Sequence, residues 1–88
     1  MRGRYSYRRV SPDTLSTFLD RLGLSVGQFS RLIGARYVGP DDSTVHKWLA
    51  GTQDIPTYMP VLLALLARPG AVDIARAAME EYLEDNDP

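Results

Sequence analysis

The stretch at residues 24–51 reads L-S-V-G-Q-F-S-R-L-I-G, then A-R-Y-V-G-P, then D-D-S-T-V-H-K-W-L-A-G. It predicts two short helices joined by a turn, because two apolar stripes of helical spacing are each bounded by residues that favour helix ends. The first helix begins after Ser25, whose hydroxyl can cap free backbone N–H groups, and Gln28 can reach back to complete a capping box. Gly34 occupies the position of a left-handed C-cap. The inward face of this helix is formed by Phe29, Leu32 and Ile33.

The second helix is predicted over about 42–50, with Asp41 as its N-cap and Gly51 as its end. Val45 and Trp48 are three residues apart and share one face of the helix, together with Leu49. This spacing assigns the tryptophan to the core rather than to a binding site. The positions left to face outward are Asp42, Ser43, His46 and Lys47, with Thr44 at the edge.

This ordered set of residues resembles the phage repressor/Cro-like (XRE-type) helix-turn-helix family. The family pattern is L-S/T-x-x-x-L/F-A/S-x-L-I/L-G, a turn, then x-x-S/T-I/V-x-x-W-x-x-G, and a proline a few residues on. The resemblance extends over roughly residues 12–67. The matching residues are Leu24, Ser25, Phe29, Ser30, Leu32, Ile33, Gly34, Thr44, Val45, Trp48, Gly51 and Pro56.

The resemblance implies an all-α, five-helix, lambda-repressor-like domain with a basic N-terminal arm. Residues 1–10 would form the arm and 11–85 a single domain, with the helix-turn-helix at about 25–50 and an acidic tail at 86–88. The remaining helices fit this plan. Ser11-Pro12 begins the first helix and Gly23 ends it, Thr57 caps a fourth with Pro60 in its first turn, and a fifth covers about 71–84.

Two features depart from the family. The connector 35–40 has six residues where the family usually has two, and Val26 stands where many relatives carry a phosphate-binding glutamine. A longer loop here would lie near the DNA backbone, where Arg36 could add a phosphate contact or the loop could change how the next helix enters the groove. The alternative, a tolerated surface insertion, carries equal weight.

Composition limits the function. One histidine, no cysteine and carboxylates scattered over helix surfaces offer no activated nucleophile and no metal site, so neither an enzyme nor a cofactor is expected. The net charge of −1 conceals an asymmetry, because residues 1–68 carry +4 and residues 69–88 carry −5. No apolar run approaches the roughly 18 residues of a membrane span, and no signal peptide is indicated. A cytoplasmic location is expected, in a bacterium or a phage according to the resemblance.

The resemblance implies a sequence-specific, double-stranded-DNA-binding transcriptional regulator, with the helix at 42–50 in the major groove. The predicted base contacts are Asp42, Ser43, His46 and Lys47. The predicted phosphate contacts are Val26, Gly27, Gln28, Arg36, Thr44, Thr52 and Gln53. The arm would contribute Arg2, Arg4, Arg8 and Arg9. The alternative, a solvated tail that contacts nothing, carries nearly equal weight.

Two partners other than DNA are considered: a second copy of the chain, suggested by the last helix, and a different protein, suggested by a rival function. The apolar stripe of that helix either closes the core or forms a homodimer interface, and the sequence favours some use in both. The rival function is a helix-turn-helix scaffold that binds protein, as an antiactivator or antitoxin-like module would. The stripe consists of Val72, Ala75, Met79, Tyr82 and Leu83.

Overall fold

The computed structural model of the chain describes residues 8–39 and 41–83. Arg2 and Arg4 of the predicted arm, and the acidic tail at 86–88, therefore lie outside the described residues. The described part is mostly helical and contains one small antiparallel sheet. In chain order its elements are α1 (Pro12–Leu22), α2 (Val26–Ile33), β1 (Tyr37–Gly39), β2 (Asp42–Ser43), α3 (Thr44–Ala50), α4 (Met59–Leu66) and α5 (Ala71–Tyr82).

The ends of the first two helices confirm the predictions made from their capping residues. The Ser11 hydroxyl accepts the Thr14 N–H at 3.1 Å, with Pro12 in the first turn of α1. The capping box of α2 is complete, since Ser25 Oγ accepts the Gln28 N–H and Gln28 Oε1 accepts the Ser25 N–H. Helices α1, α2 and α3 each end at a glycine in the left-handed region, as expected from Gly23, Gly34 and Gly51.

The expectation of an all-α chain is wrong for the connector, which forms a β-hairpin. In this hairpin, β1 pairs with β2 through Tyr37 opposite Ser43 and Gly39 opposite Asp42. The Thr44 N–H donates to the Arg36 carbonyl at 3.1 Å and so carries the bonding up to the start of α3. Residues predicted as the first turn of a helix are therefore held in extended conformation by cross-strand hydrogen bonds.

The hairpin also moves the start of α3. Asp41, the predicted N-cap, lies in the turn between the strands. The N-cap is Ser43, which has an extended backbone and whose buried hydroxyl accepts the His46 N–H at 2.9 Å. The helix consequently begins at Thr44 rather than at 42, and its first turn exposes a different set of side chains.

The core lies where α1, α2, α3 and α4 meet. Helix α3 packs against both α1 and α2, while α4 and α2 contact α5. Val45 and Trp48 are buried, which confirms the core role predicted from their spacing. The buried apolar residues are Leu15, Leu19, Leu24, Phe29, Val45, Trp48, Ile55, Met59, Leu63 and Leu66.

Helix α4 begins two residues later than the predicted cap. Its N-cap position is Tyr58, which makes no side-chain capping bond, so Thr57 is not the cap. Pro60 lies in the first turn, as predicted, where its missing N–H leaves no helical bond unmade. One face of α4 is buried, but Val61 and Leu65 on the other are exposed.

Helix α5 is shorter than predicted and contributes no fully buried residue. Val72 and Ala75 pack against the core. Tyr82 and Leu83, by contrast, are 81% and 49% exposed. The predicted stripe is therefore not one surface, because its first two residues pack on the core, Met79 is half-buried, and its last two residues are exposed. No helix among residues 8–39 and 41–83 is long and apolar enough to cross a bilayer.

Candidate nucleic-acid interface

Three elements form one continuous surface, which we call the α2–α3 surface. They are the first turn of α2, the hairpin, and the outer face of α3. Helix α2 contacts both α3 and β1, and β2 leads directly into α3, so their relative positions are fixed by packing and by the chain itself. Five of the residues predicted to contact bases or phosphates lie in this region. Arg36 directly precedes β1, Asp42 and Ser43 form β2, and Thr44 and His46 lie in the first turn of α3.

The outer face of α3 presents fewer side chains than the sequence predicted. Lys47 is exposed, and Thr44 and His46 are half-buried. Ser43 is fully buried and its hydroxyl caps α3, so the predicted base contact by Ser43 is wrong. A side chain with no exposed area cannot reach a base edge without opening the hairpin. Lys47 remains the most accessible of the predicted base contacts.

Arg36 and Asp42 bind each other across the base of the hairpin. Arg36 Nη1 lies 2.7 Å from Asp42 Oδ1, and the second nitrogen donates to Oδ2 at 3.3 Å, which is the bidentate geometry of a guanidinium–carboxylate pair. The hydrogen bond from Arg36 holds the pKa of the Asp42 carboxyl below its usual value, and the same bond raises the pKa of Arg36. Both side chains are about half-exposed, so the pair contributes little to stability.

This pairing corrects two predicted contacts. Asp42 lies on β2 rather than on α3, and its carboxylate already accepts both nitrogens of Arg36. As an ion pair the two side chains present no net charge to a phosphate. Asp42 is thereby directed at Arg36 rather than at a base edge, and Arg36 keeps only its remaining N–H groups for a phosphate.

Tyr37 is a feature of this surface that the sequence pattern did not indicate. Its ring lies against Gly27 in the first turn of α2, so that a methyl group added at Gly27 would come within 3.2 Å of the ring Cζ and 3.3 Å of the hydroxyl oxygen. A shallow cleft of about 470 Å³ is lined by both residues. The one sequence signal for this contact was Gly27 itself. A glycine inside a helix lowers stability, so its presence suggests that a neighbouring group occupies the space a side chain would fill.

The first turn of α2 keeps the donors that the sequence assigned to phosphate. The backbone N–H groups of Val26 and Gly27 are at positions where no helical carbonyl can accept them, and no acceptor for them occurs within the described ranges. Gln28 is different, because its side-chain oxygen is engaged by the Ser25 N–H. The side-chain nitrogen of Gln28 is therefore the group left to donate to a phosphate.

The loop after α3 and the segment before α1 hold four further predicted contacts. The Thr52 hydroxyl donates to the Lys47 carbonyl at 3.3 Å, while Gln53 is exposed. Arg8 is exposed as well. Arg9 is not a free arm residue, since its Nη1 donates to the Ile55 carbonyl at 2.7 Å. The segment that the sequence placed in the arm is thus attached to the helical body at Arg9.

Neither a search for metal-binding groups nor comparison with known proteins assigns a further role to these residues. No group of three or more His, Asp or Glu side chains that could hold a metal ion occurs in the part of the chain that the structure describes. Comparisons of the chain with models of protein families, with curated proteins and with solved structures find no match.

Proposed function

We propose that this protein is a sequence-specific, double-stranded-DNA-binding regulator of transcription that uses α2 and α3 as a helix-turn-helix of the lambda-repressor-like kind. The observation that carries the proposal is the placement of α3. Its inner residues Val45 and Trp48 are buried in the core while Lys47 is exposed, and α3 packs against α2, whose first turn has free N–H groups. A helix held in this way can be presented to the major groove while its neighbour contacts the backbone.

The roles of the side chains follow from their exposure. Lys47 would donate to guanine O6 or N7, and His46 would donate to or accept from a neighbouring base edge. Thr44 is the first residue of α3 and is half-buried, and its hydroxyl would contact a phosphate. The N–H groups of Val26 and Gly27 would bind the phosphate that a glutamine side chain binds in relatives.

The test begins with selection of a preferred site from random duplex DNA, followed by fluorescence anisotropy with the selected and a scrambled duplex. Lys47→Ala is expected to weaken binding to the selected site by about 1–3 kcal/mol and to leave binding to scrambled DNA nearly unchanged. Arg76→Ala removes the same charge from α5 and serves as the matched control, with no loss expected on either duplex. Equal losses on both duplexes would contradict the assignment of α3 as the reading helix.

The second candidate function is binding of a partner protein by the helix-turn-helix scaffold, and two observations favour it. Arg36 is paired with Asp42, and Val26 supplies no polar side chain, so the α2–α3 surface is less cationic than its sequence suggests. The salt dependence of the binding affinity distinguishes the two candidate functions. If phosphate contacts dominate, the logarithm of the affinity should fall linearly with log salt, by about 0.9 for each contact. Absence of any selected site, with the chain folded, would favour the protein partner.

A further inference from the structure

A cleft of about 840 Å³ lies between the segment that leads into α1 and the beginning of α4. The hydrogen bond from Arg9 Nη1 to the Ile55 carbonyl, at 2.7 Å, joins the same two parts of the chain. We call this feature the α1–α4 cleft. It is lined by cationic and apolar side chains from both parts, among them Arg8, Arg9, Val10, Tyr58, Pro60 and Val61.

The α1–α4 cleft carries positive charge that no neighbouring acid neutralises. Arg8 and Arg9 are both exposed, and no ion pair within the described ranges involves either of them. The partner of Arg9 Nη1 is a carbonyl oxygen, which leaves the charge of the guanidinium in place. Asp13, the acid nearest in sequence, lines a separate cleft together with Arg21. The α1–α4 cleft therefore favours a ligand that carries negative charge.

The wall that α4 contributes to the cleft is apolar. Tyr58 and Val61 are 58% and 64% exposed, and Pro60 is exposed as well. A DNA phosphate is bound by cations and hydrogen-bond donors, so it would leave these apolar groups uncovered. Tyrosine and arginine are both enriched among the residues that anchor protein–protein contacts. A ligand that satisfies both walls therefore carries an apolar side chain as well as negative charge.

The exposure of the cleft distinguishes a peptide from a small molecule. A small-molecule site typically encloses about 70–90% of the surface of its ligand. The side chains that line the α1–α4 cleft are exposed, apart from the half-buried Val10, which suits a chain segment lying along the surface. The protein's own residues 1–7 precede Arg8, but they contain two arginines and no acid, so they bring the same charge as the cleft.

We propose that the α1–α4 cleft binds an acidic peptide segment of a partner protein, with carboxylates on the two arginines and an apolar side chain against Tyr58 and Val61. Arginine binds carboxylate through parallel N–H···O bonds, and Arg9 keeps its other N–H donors after Nη1 is used by Ile55. The same bond holds the Arg9 guanidinium in place before a ligand arrives, so less side-chain freedom is lost on binding. This site lies outside the α2–α3 surface and does not depend on DNA recognition by α3.

Selection from a library of random displayed peptides, with the full chain as bait and no DNA present, tests the class of ligand. The enriched peptides are expected to carry several Asp or Glu residues close to an aliphatic or aromatic residue. No enrichment, or enrichment of basic or uncharged sequences, would overturn the proposal. The selection is repeated with the acids at 84, 85 and 87 replaced by their amides. Enrichment by that variant alone would assign the cleft to the chain's own acidic end and would equally overturn a partner peptide.

Fluorescence anisotropy with one labelled, enriched peptide shows where that peptide binds. Arg8→Gln is expected to raise the dissociation constant roughly threefold to tenfold at low salt and less at high salt, because it removes a charge from the rim of the contact. Val61→Ser should raise the constant by a similar factor at every salt concentration, because the contact that it removes is apolar. Arg21→Gln and Leu65→Ser are the matched controls, since both residues are exposed on α1 and α4 but do not line the cleft.

The variants also distinguish this site from the DNA contacts. All four substituted side chains are exposed, and thermal melts show whether each variant is folded. Equal losses of peptide binding in the controls and in the cleft variants would overturn the assignment. Val61→Ser that weakens duplex DNA binding but not peptide binding would assign the cleft to DNA and would overturn it too. Because peptide selection and DNA binding are measured separately, failure of either proposal leaves the other standing.

Discussion

Ser30 and Ser43 are two fully buried serines in opposite situations. The Ser30 hydroxyl has no hydrogen-bond partner within the described ranges, whereas the Ser43 hydroxyl caps α3. Ser30→Ala is therefore expected to stabilise the protein by about 1 kcal/mol, because it removes an unpaired polar group from the core. Ser43→Ala should destabilise it by about 1 kcal/mol, because it removes a cap.

Urea denaturation of the two variants beside the wild-type chain measures both effects. The pair is its own control, since the same atom is deleted from an equally buried site in each case. A loss of stability in both variants would mean that the Ser30 hydroxyl has a partner in solution, such as a buried water molecule.

The Arg36–Asp42 pair makes stability depend on pH. The pKa of Asp42 is lowered in the folded protein, so the stability that the pair contributes is present above the unfolded pKa of about 3.9 and is lost as pH falls through the lowered folded value. The pKa of Asp42, followed by carbon NMR of its carboxyl group, should therefore rise in Arg36→Gln. The difference in unfolding free energy between the two proteins should shrink as the pH falls below about 4.

At the scale of elements, the contact between Gly27 and Tyr37 couples α2 to the hairpin. An alanine at position 27 would meet the Tyr37 ring at 3.2 Å, and the three atoms nearest to its methyl group all belong to that side chain. Gly27→Ala should therefore be more favourable in a Tyr37→Ala background than in the wild-type chain, by at least about 0.5 kcal/mol. A double-mutant cycle by urea denaturation gives the coupling energy, and a value of zero would mean that the ring moves away at no cost.

The helices could be predicted from the sequence and the hairpin could not, for a physical reason. Capping at Ser11 and Ser25 involves groups within three residues of each other, so the sequence contains the whole interaction. The stretch D-D-S-T at 41–44 offers several acceptable caps, and local preference ranks Asp41 as highly as Ser43. The choice is made by the pairing of Tyr37 with Ser43, which no helix-based pattern records.

The same reasoning explains which site residues were missed. Lys47 was predicted to be outward-facing from helical periodicity, and it is exposed, because its position depends on Val45 and Trp48 being buried. Arg36 and Asp42 were assigned separate roles because their ion pair joins residues six positions apart across a turn. Tyr37 carried no signal of its own, and only the helical glycine at position 27 hinted at a neighbouring ring.

At the scale of the whole molecule, charge and apolar surface are separated along the chain. The positive excess belongs to residues 1–68 and the negative excess to residues 69–88, with uncharged α4 between the exposed Lys47 and the acidic end. In the proposed function α3 would face DNA, and the acidic end would be held away from the duplex by charge repulsion.

The hydrogen bond from Arg9 to the Ile55 carbonyl has a consequence for how the molecule comes apart. It ties the entry of the chain to a backbone group 46 residues away, immediately ahead of α4. Chain ends usually fray first, at almost no free-energy cost. Here the Arg9 bond and the packing of Val10 against the core anchor the chain just before α1, so we expect the first turn of α1 to fray less readily than a free end would.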